Sequence, residues 1–253
     1  MSQEFRTEEL LRRLARDPSV ASRIGAGRVA IVVTAKLAGN PQAQLTTFFC
    51  VNLMARLFPV VSAVNVYIEQ DAVLRTAVPR FAEPTLGTTI DRFLRELAPP
   101  CSCRVIAGLP RAEADVTLAF AAVGTSPRTL FVGSAGWIAQ VSTDGPVQVG
   151  EPPNPVGAHV AAAFATAEVW KRLLAPYRHL FPSVPIQPIA GTQTFSTFDY
   201  RQCADGPNPD LPVSVRLAPL TVVGLGAGGG ATAYTLAIRI KLSQKTGRRV
   251  RPS

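Results

Sequence analysis

Two patterns alternate along this chain. Short runs that are apolar and β-branched on both faces predict buried strands. Longer segments with apolar residues three and four apart predict helices. Residues 3–17 fit a surface helix, with Leu10, Leu11 and Leu14 as a narrow apolar stripe among Glu8, Glu9, Arg12, Arg13, Arg16 and Asp17. Pro18 ends it. Residues 28–37 then form a run that is β-branched and apolar on both faces, as expected of a strand buried in a parallel sheet. A turn at 38–41 leads to a helix over 42–57, with Leu45, Phe48, Phe49, Leu53 and Leu57 at helical spacings. After Pro59, residues 60–69 predict a second strand that closes on Glu69.

The alternation continues. A helix over 88–97 turns Ile90, Phe93, Leu94 and Leu97 inward and stops at Pro99 and Pro100. Strands follow at 103–107, 114–122, 128–133 and 137–141, and then a long alanine-rich helix at 158–174 that should be largely buried. On that helix Glu168 and Lys171, three apart, are expected to form a helix-face pair of small value. From 177 to 219 prolines recur, at 182, 185, 188, 207, 209 and 212, and the composition becomes that of an irregular linker or subdomain, with a short strand at 194–198. The predicted fold class is α/β, a Rossmann-like, open and mainly parallel sheet with helices on both faces. An irregular linker and the start of a second Rossmann unit follow. The predicted divisions are 1–27, 28–176, 177–219 and 220–253.

The second unit rests on one stretch. A β-branched run at 221–223 enters a glycine cluster that opens into an Ala/Leu-rich helical segment ending near Ala237. Gly224, Gly226 and Gly229 supply the G-x-G-x-x-G spacing. The first glycine permits a tight turn, the second lets backbone approach a phosphate, and the third lets helix and strand pack closely. A helix N-terminus then presents free N–H groups to an anion. The run near residue 28 has the same order of strand, turn, helix, strand and terminal acid, but only Gly39 stands where several glycines belong. It is read as a degenerate Rossmann unit, and an unrelated βαβ that never held a nucleotide fits those residues equally.

Composition narrows the function classes. The apolar fraction of 47% suits a packed α/β interior. No run reaches the roughly 18 consecutive apolar residues of a membrane span, and the polar, acidic N-terminus lacks the order of a signal peptide. A cytoplasmic protein is expected. The four cysteines, Cys50, Cys101, Cys103 and Cys203, are too few for a disulfide scaffold. Cys101 and Cys103 form C-x-C without a second ligand pair, and His159 and His179 have no nearby ligand partners in sequence, so no metal site is expected. The net charge of +9 would suggest nucleic acid until it is located. Six basic residues and no acid lie between Arg239 and Ser253, which leaves +3 for the other 238 residues. The charge belongs to a tail, and nucleic-acid binding is not expected. Trp137, Trp170 and the Phe48-Phe49 pair are read as core, His159 as a helix-surface residue and Cys203 as a plain thiol.

The glycine stretch resembles the E1-like superfamily of ubiquitin-activating enzymes and their bacterial relatives of the ThiF and MoeB type. That family reads V-V-G-x-G-G-x-G-S-x-x-A-x-x-L-A. Here Val222, Val223, Gly224, Gly226, Gly229, Ala233, Leu236 and Ala237 keep the pattern, with Ala227 and Gly230 as small-residue departures. Pro155-Val-Gly-Ala, with Ala167 to Lys171 at the end of its helix, is similar to the family's late glycine-started helix with A-x-E-x-x-K. The resemblance implies an inactive E1-type copy over about 28–175, followed by the start of an active one. It implies ATP-dependent adenylation of the C-terminal carboxylate of a ubiquitin-like protein, with the glycine turn on the phosphates. It implies a ubiquitin-like protein or a partner E1-type subunit as partner, and leaves open a homodimer.

After Ala237 the family continues to an acid-tipped strand, whereas this sequence turns basic and acid-free. The chain is therefore expected to be incomplete for catalysis, with weak or absent ATP binding and no catalytic residue to name. Two other function classes fit the residues. One is a non-catalytic module that binds a ubiquitin-like protein or a partner E1. The other is a fragment of an NAD(P)- or FAD-binding oxidoreductase, since the same glycine spacing serves dinucleotides. It would need an acid about 20 residues on, or a base for a 2′-phosphate, and Lys245 stands there.

Overall fold

The computed structural model describes residues 3–76, 78, 83–112, 114–121, 126–151, 153–203 and 205–210. Two short helices come first, α1 (Gln3–Ala15) and α2 (Val20–Arg23). Glu8 and Glu9 reach one turn along α1 to Arg12 and Arg13, while Leu11 enters the core and Leu10 stays exposed. Then come β1 (Gly27–Val33), α3 (Ala35–Ala38), α4 (Pro41–Met54), β2 (Val61–Ile68), α5 (Leu86–Leu97) and β3 (Ser102–Ala107). β4 (Val116–Ala119), β5 (Thr129–Ala135), β6 (Ile138–Ser142), α6 (Pro155–Leu174), a 3-10 turn at Ala175–Leu180 and β7 (Thr192–Ser196) complete the order.

The strands form one seven-stranded sheet in the order β3-β2-β1-β4-β5-β6-β7. β3, β2, β1, β4 and β5 run parallel, and β6 and β7 continue the sheet antiparallel. This is a mixed, mainly parallel α/β sheet of the Rossmann-like class. The chain moves outward from β1 to β2 to β3 and then returns to place β4 on the other side of β1. The order reverses there, and in open α/β sheets the crevice outside the carboxyl ends of such strands is where ligands bind.

Burial explains why the sequence folds this way. β5 is buried along its whole length and β1 everywhere except Arg28, as required of strands covered on both faces. α4 and α6 pack against each other on the sheet, with Phe48, Phe49, Leu45, Ala161, Ala165 and Val169 inside. Both helices start the same way, with an asparagine cap followed by proline. Asn40 Oδ1 accepts from the Ala43 amide at 2.9 Å. Asn154 Oδ1 accepts from the Val156 amide at 2.9 Å. Proline at the first helical position has no N–H to leave unpaired, and the asparagine satisfies one that would be.

Glu168 departs from its expected role as half of a surface pair. It is 3% exposed. One carboxylate oxygen meets Lys171 and the other accepts from the Ile189 amide at 2.9 Å. It therefore ties the segment approaching β7 onto α6.

Candidate functional site: the crevice at the carboxyl ends of the parallel strands

A crevice of about 760 Å³ opens where the strand order reverses. Its lining is contributed strand by strand. Thr34 follows β1, Glu69 follows β2, Leu109 and Pro110 follow β3, and Phe120 follows β4. Lys36 and Leu37 come from α3, and Pro146, Val147 and Val149 from the loop after β6. The walls are mostly apolar, with one ammonium and one carboxylate among them.

The turn after β1 decides what this crevice can hold. A phosphate-binding turn brings bare backbone N–H groups to an anion, and glycines make the approach close enough. Here the strand stops at Val33, Thr34 caps one helical turn, and Gly39 closes it with an ordinary φ of −87°. The carboxylate of Glu69 already accepts from the Ala35 amide at 2.8 Å. A donor that would face a phosphate is thus held by an acid. The next helix start, at α4, is closed as well, since its cap Asn40 also donates from Nδ2 to the Gly150 carbonyl at 3.1 Å. Thr34 Oγ1, buried at the crevice floor, has no partner among the described residues.

Behind the crevice lies a buried polar network that joins the starts of α4 and α6. Gln42 is fully buried. Its Nε2 donates to Ser134 Oγ at 2.5 Å and to the Asn154 carbonyl at 3.2 Å, and its Oε1 accepts from the Asn154 amide at 2.6 Å. Thr46 Oγ1 lies 3.1 Å from Ser134 Oγ. The turn between β5 and β6 packs on the same place. Gly136 has a φ of +59°, and its carbonyl lies so close to Gly157 of α6 that a Cβ there would sit 2.2 Å from the oxygen.

The chain after β7 also returns to this edge of the sheet. Asn208 Nδ2 donates to the Ala135 carbonyl at 3.0 Å, and its Oδ1 accepts from the Trp137 amide at 2.8 Å. Trp137 Nε1 donates to the Pro209 carbonyl at 3.0 Å. Asn208 and Pro209 therefore lie at the carboxyl end of β5, on the side where the crevice opens.

Comparison with known proteins places this arrangement. Residues 28–178 match the model of the family described as the BilD N-terminal domain. The chain belongs to the BilD N-terminal domain family. Its matched span runs from β1 into the turn after α6 and so contains the whole crevice. An uncharacterized protein of Sinorhizobium fredii, y4jF, is 26% identical over 219 residues. The match covers 85% of this chain and 37% of that relative, so the chain spans little more than a third of the relative's length.

Two solved structures share the fold. The microcin C7 biosynthetic enzyme MccB in complex with N-formylated MccA has a TM-score of 0.52 at 13% identity, over 79% of this chain and 70% of that one. PaaA has a TM-score of 0.50 at 12% identity, over 80% and 73%. At these identities the likeness concerns the fold alone.

The residues singled out from sequence divide accordingly. Gly224, Gly226 and Gly229 lie outside the described residues. Glu69 sits in the crevice. Phe48 and Phe49 are core, and Trp170 packs against it. His159 is half-buried, not a free helix-surface residue, and its ring lies 4.8 Å from that of Phe49. Its burial lowers its pKa from the ordinary 6.5. Cys203 is a free, partly buried thiol. Among the described residues no three His, Cys, Asp or Glu side chains cluster at metal-binding distance. No described helix is long and apolar enough to cross a membrane. The Gln42–Ser134–Asn154 network was missed in the sequence, where only the two Asn-Pro helix starts signalled it.

Proposed function

We propose that residues 28–178 are a copy of the E1-like fold that no longer binds nucleotide. In this reading the copy serves as the recruiting and scaffolding half of a protein that activates the C-terminal carboxylate of a ubiquitin-like protein. In this reading Gly224, Gly226 and Gly229 supply the phosphate-binding turn of the ATP-binding part. One observation carries the proposal: the Glu69 carboxylate on the Ala35 amide. An anion occupies the donor that a nucleotide phosphate would need, and a second anion there meets both repulsion and a lost hydrogen bond.

MccB supports the relation from the side of the fold, since that enzyme was captured with N-formylated MccA. By analogy, the apolar walls and Lys36 of this crevice suit a protein tail better than a triphosphate. The test is titration calorimetry of the chain with ATP and magnesium, beside a cross-linking scan with a purified ubiquitin-like protein. Weak or absent ATP binding together with cross-links around the crevice is the expected result. Micromolar ATP affinity that Lys36→Ala or Phe120→Ala abolishes would overturn it. The absence of any cross-linked partner would remove the recruiting role.

A further inference from the structure

Away from the crevice, Cys101 and Cys103 lie where β3 begins, at the edge of the sheet. Their Sγ atoms are 3.4 Å apart. Residues two apart on extended chain place their side chains on one face. Here that face turns toward the core, against which Cys103 and Val105 pack, as do Phe93 and Leu97 of α5. Cys101 is 5% exposed, and its thiol donates to the Ala55 carbonyl at 3.5 Å, just past the end of α4. Cys103 is more open.

We propose that Cys101 and Cys103 form a modification site, a dithiol that a hydroperoxide converts into an intramolecular disulfide. Two steps of extended chain span at most about 7 Å, close to the upper limit of Cα separation across a disulfide. Bond formation at about 2.05 Å then asks the sulfurs to approach by about 1.4 Å, within the reach of χ1 adjustment at the bend before β3. The roles divide by environment. The hydrogen bond from Cys103 lowers the Cys101 thiol, while the same contact and burial raise Cys103. Of the pair, Cys101 is thus the thiol that ionises first.

The chemistry balances in two steps. The Cys101 thiolate attacks the peroxide oxygen. A sulfur–oxygen bond forms, the oxygen–oxygen bond breaks, and the alcohol or water leaves after taking a proton. Cys103 then attacks the Cys101 sulfur. The disulfide forms, the sulfur–oxygen bond breaks, and hydroxide leaves with the Cys103 proton as water. Two thiols lose two electrons and the hydroperoxide gains them. The disulfide also ends the bond from Cys101 to Ala55, so oxidation uncouples the start of β3 from the end of α4. Cys50 is excluded from this reaction, because it is fully buried in apolar surroundings that push its thiol far up.

The experiment treats the native chain with hydrogen peroxide, quenches it in acid and counts thiols after unfolding. The count should fall from four to two. The tryptic fragment spanning residues 96–104, which holds both cysteines, should lose the mass of two hydrogen atoms and regain it with a reductant. Cys103→Ser should instead retain oxygen on Cys101 and lose only one thiol. An unchanged fragment, oxygen added to Cys103 alone, or equally fast pairing in the urea-unfolded chain would each overturn the proposal. The wild-type fragment decides the matter even where the variant fails to fold.

Discussion

The carboxylate of Glu69, just past the end of β2, accepts a hydrogen bond from the Ala35 amide at the start of α3, 2.8 Å away and 34 residues earlier in sequence. The two strands are parallel neighbours, with Val33 opposite Ile68, so their ends are forced together by register. In a nucleotide-binding unit the same two positions face a ligand from opposite sides. Here they satisfy each other.

That bond predicts a graded response. Glu69→Ala leaves the Ala35 amide to solvent and should lower stability by about 1 kcal/mol or less, because the site is exposed. Glu69→Gln keeps an oxygen acceptor and should lose a smaller part. Urea unfolding midpoints compare the three proteins. Equal loss in both variants would mean that the hydrogen bond contributes nothing and only the charge matters.

A larger effect is expected at Gln42. Its amide group is fully buried and makes three hydrogen bonds to Ser134 and the Asn154 backbone. Gln42→Leu fills the space but strands the Asn154 amide away from water and leaves the Ser134 hydroxyl with Thr46 alone. An unpaired buried polar group costs about 1–3 kcal/mol. Adding Ser134→Ala removes the partly satisfied hydroxyl and should recover part of the loss. A double-mutant cycle in urea measures the recovery, and strict additivity would count against the network.

Gly157 tests how tightly α6 sits on the β5–β6 turn. A Cβ there would lie 2.2 Å from the Gly136 carbonyl oxygen, a backbone atom that no rotamer change can move. In an ordinary helix Gly→Ala stabilises. At this position overpacking should win, with a loss of about 1–3 kcal/mol. Thermal unfolding of Gly157→Ala decides the sign, and Gly39→Ala, which meets nothing within 4 Å, is the matched control.

Local signals carried much of this fold. The β-branched runs that became β1, β2 and β5 and the proline stops after α4 and α5 were legible because each depends on neighbours in sequence. Failures occurred where a distant partner decided the outcome. The run at 28–37 looks like one strand, yet it breaks at Thr34, where Glu69 holds the amide of a helical turn. Glu168 and Lys171 look like a surface pair until the Ile189 amide, 21 residues on, closes over the carboxylate. The C-x-C spacing, without a second ligand pair, gave no expectation of a metal site. The 3.4 Å approach of Cys101 and Cys103 depends on the bend where β3 joins the sheet.

His159 supplies the pH dependence. Its imidazole is half-buried against Phe49, and burial disfavours the charged form, so its native pKa lies below the unfolded value near 6.5. Between the depressed native value and 6.5 the unfolded chain binds a proton that the native chain does not. Stability therefore rises with pH across that window and is lost as pH falls through it. Above 6.5 both states are neutral at this site and the dependence flattens. His159→Phe keeps a ring against Phe49 and removes the proton-binding group, while His179 and every carboxylate remain as common background. Melting temperatures from pH 7.5 down to about 5.5 should fall more steeply for the wild type than for the variant. Parallel curves would show that His159 is no less protonated in the native fold than in the unfolded chain.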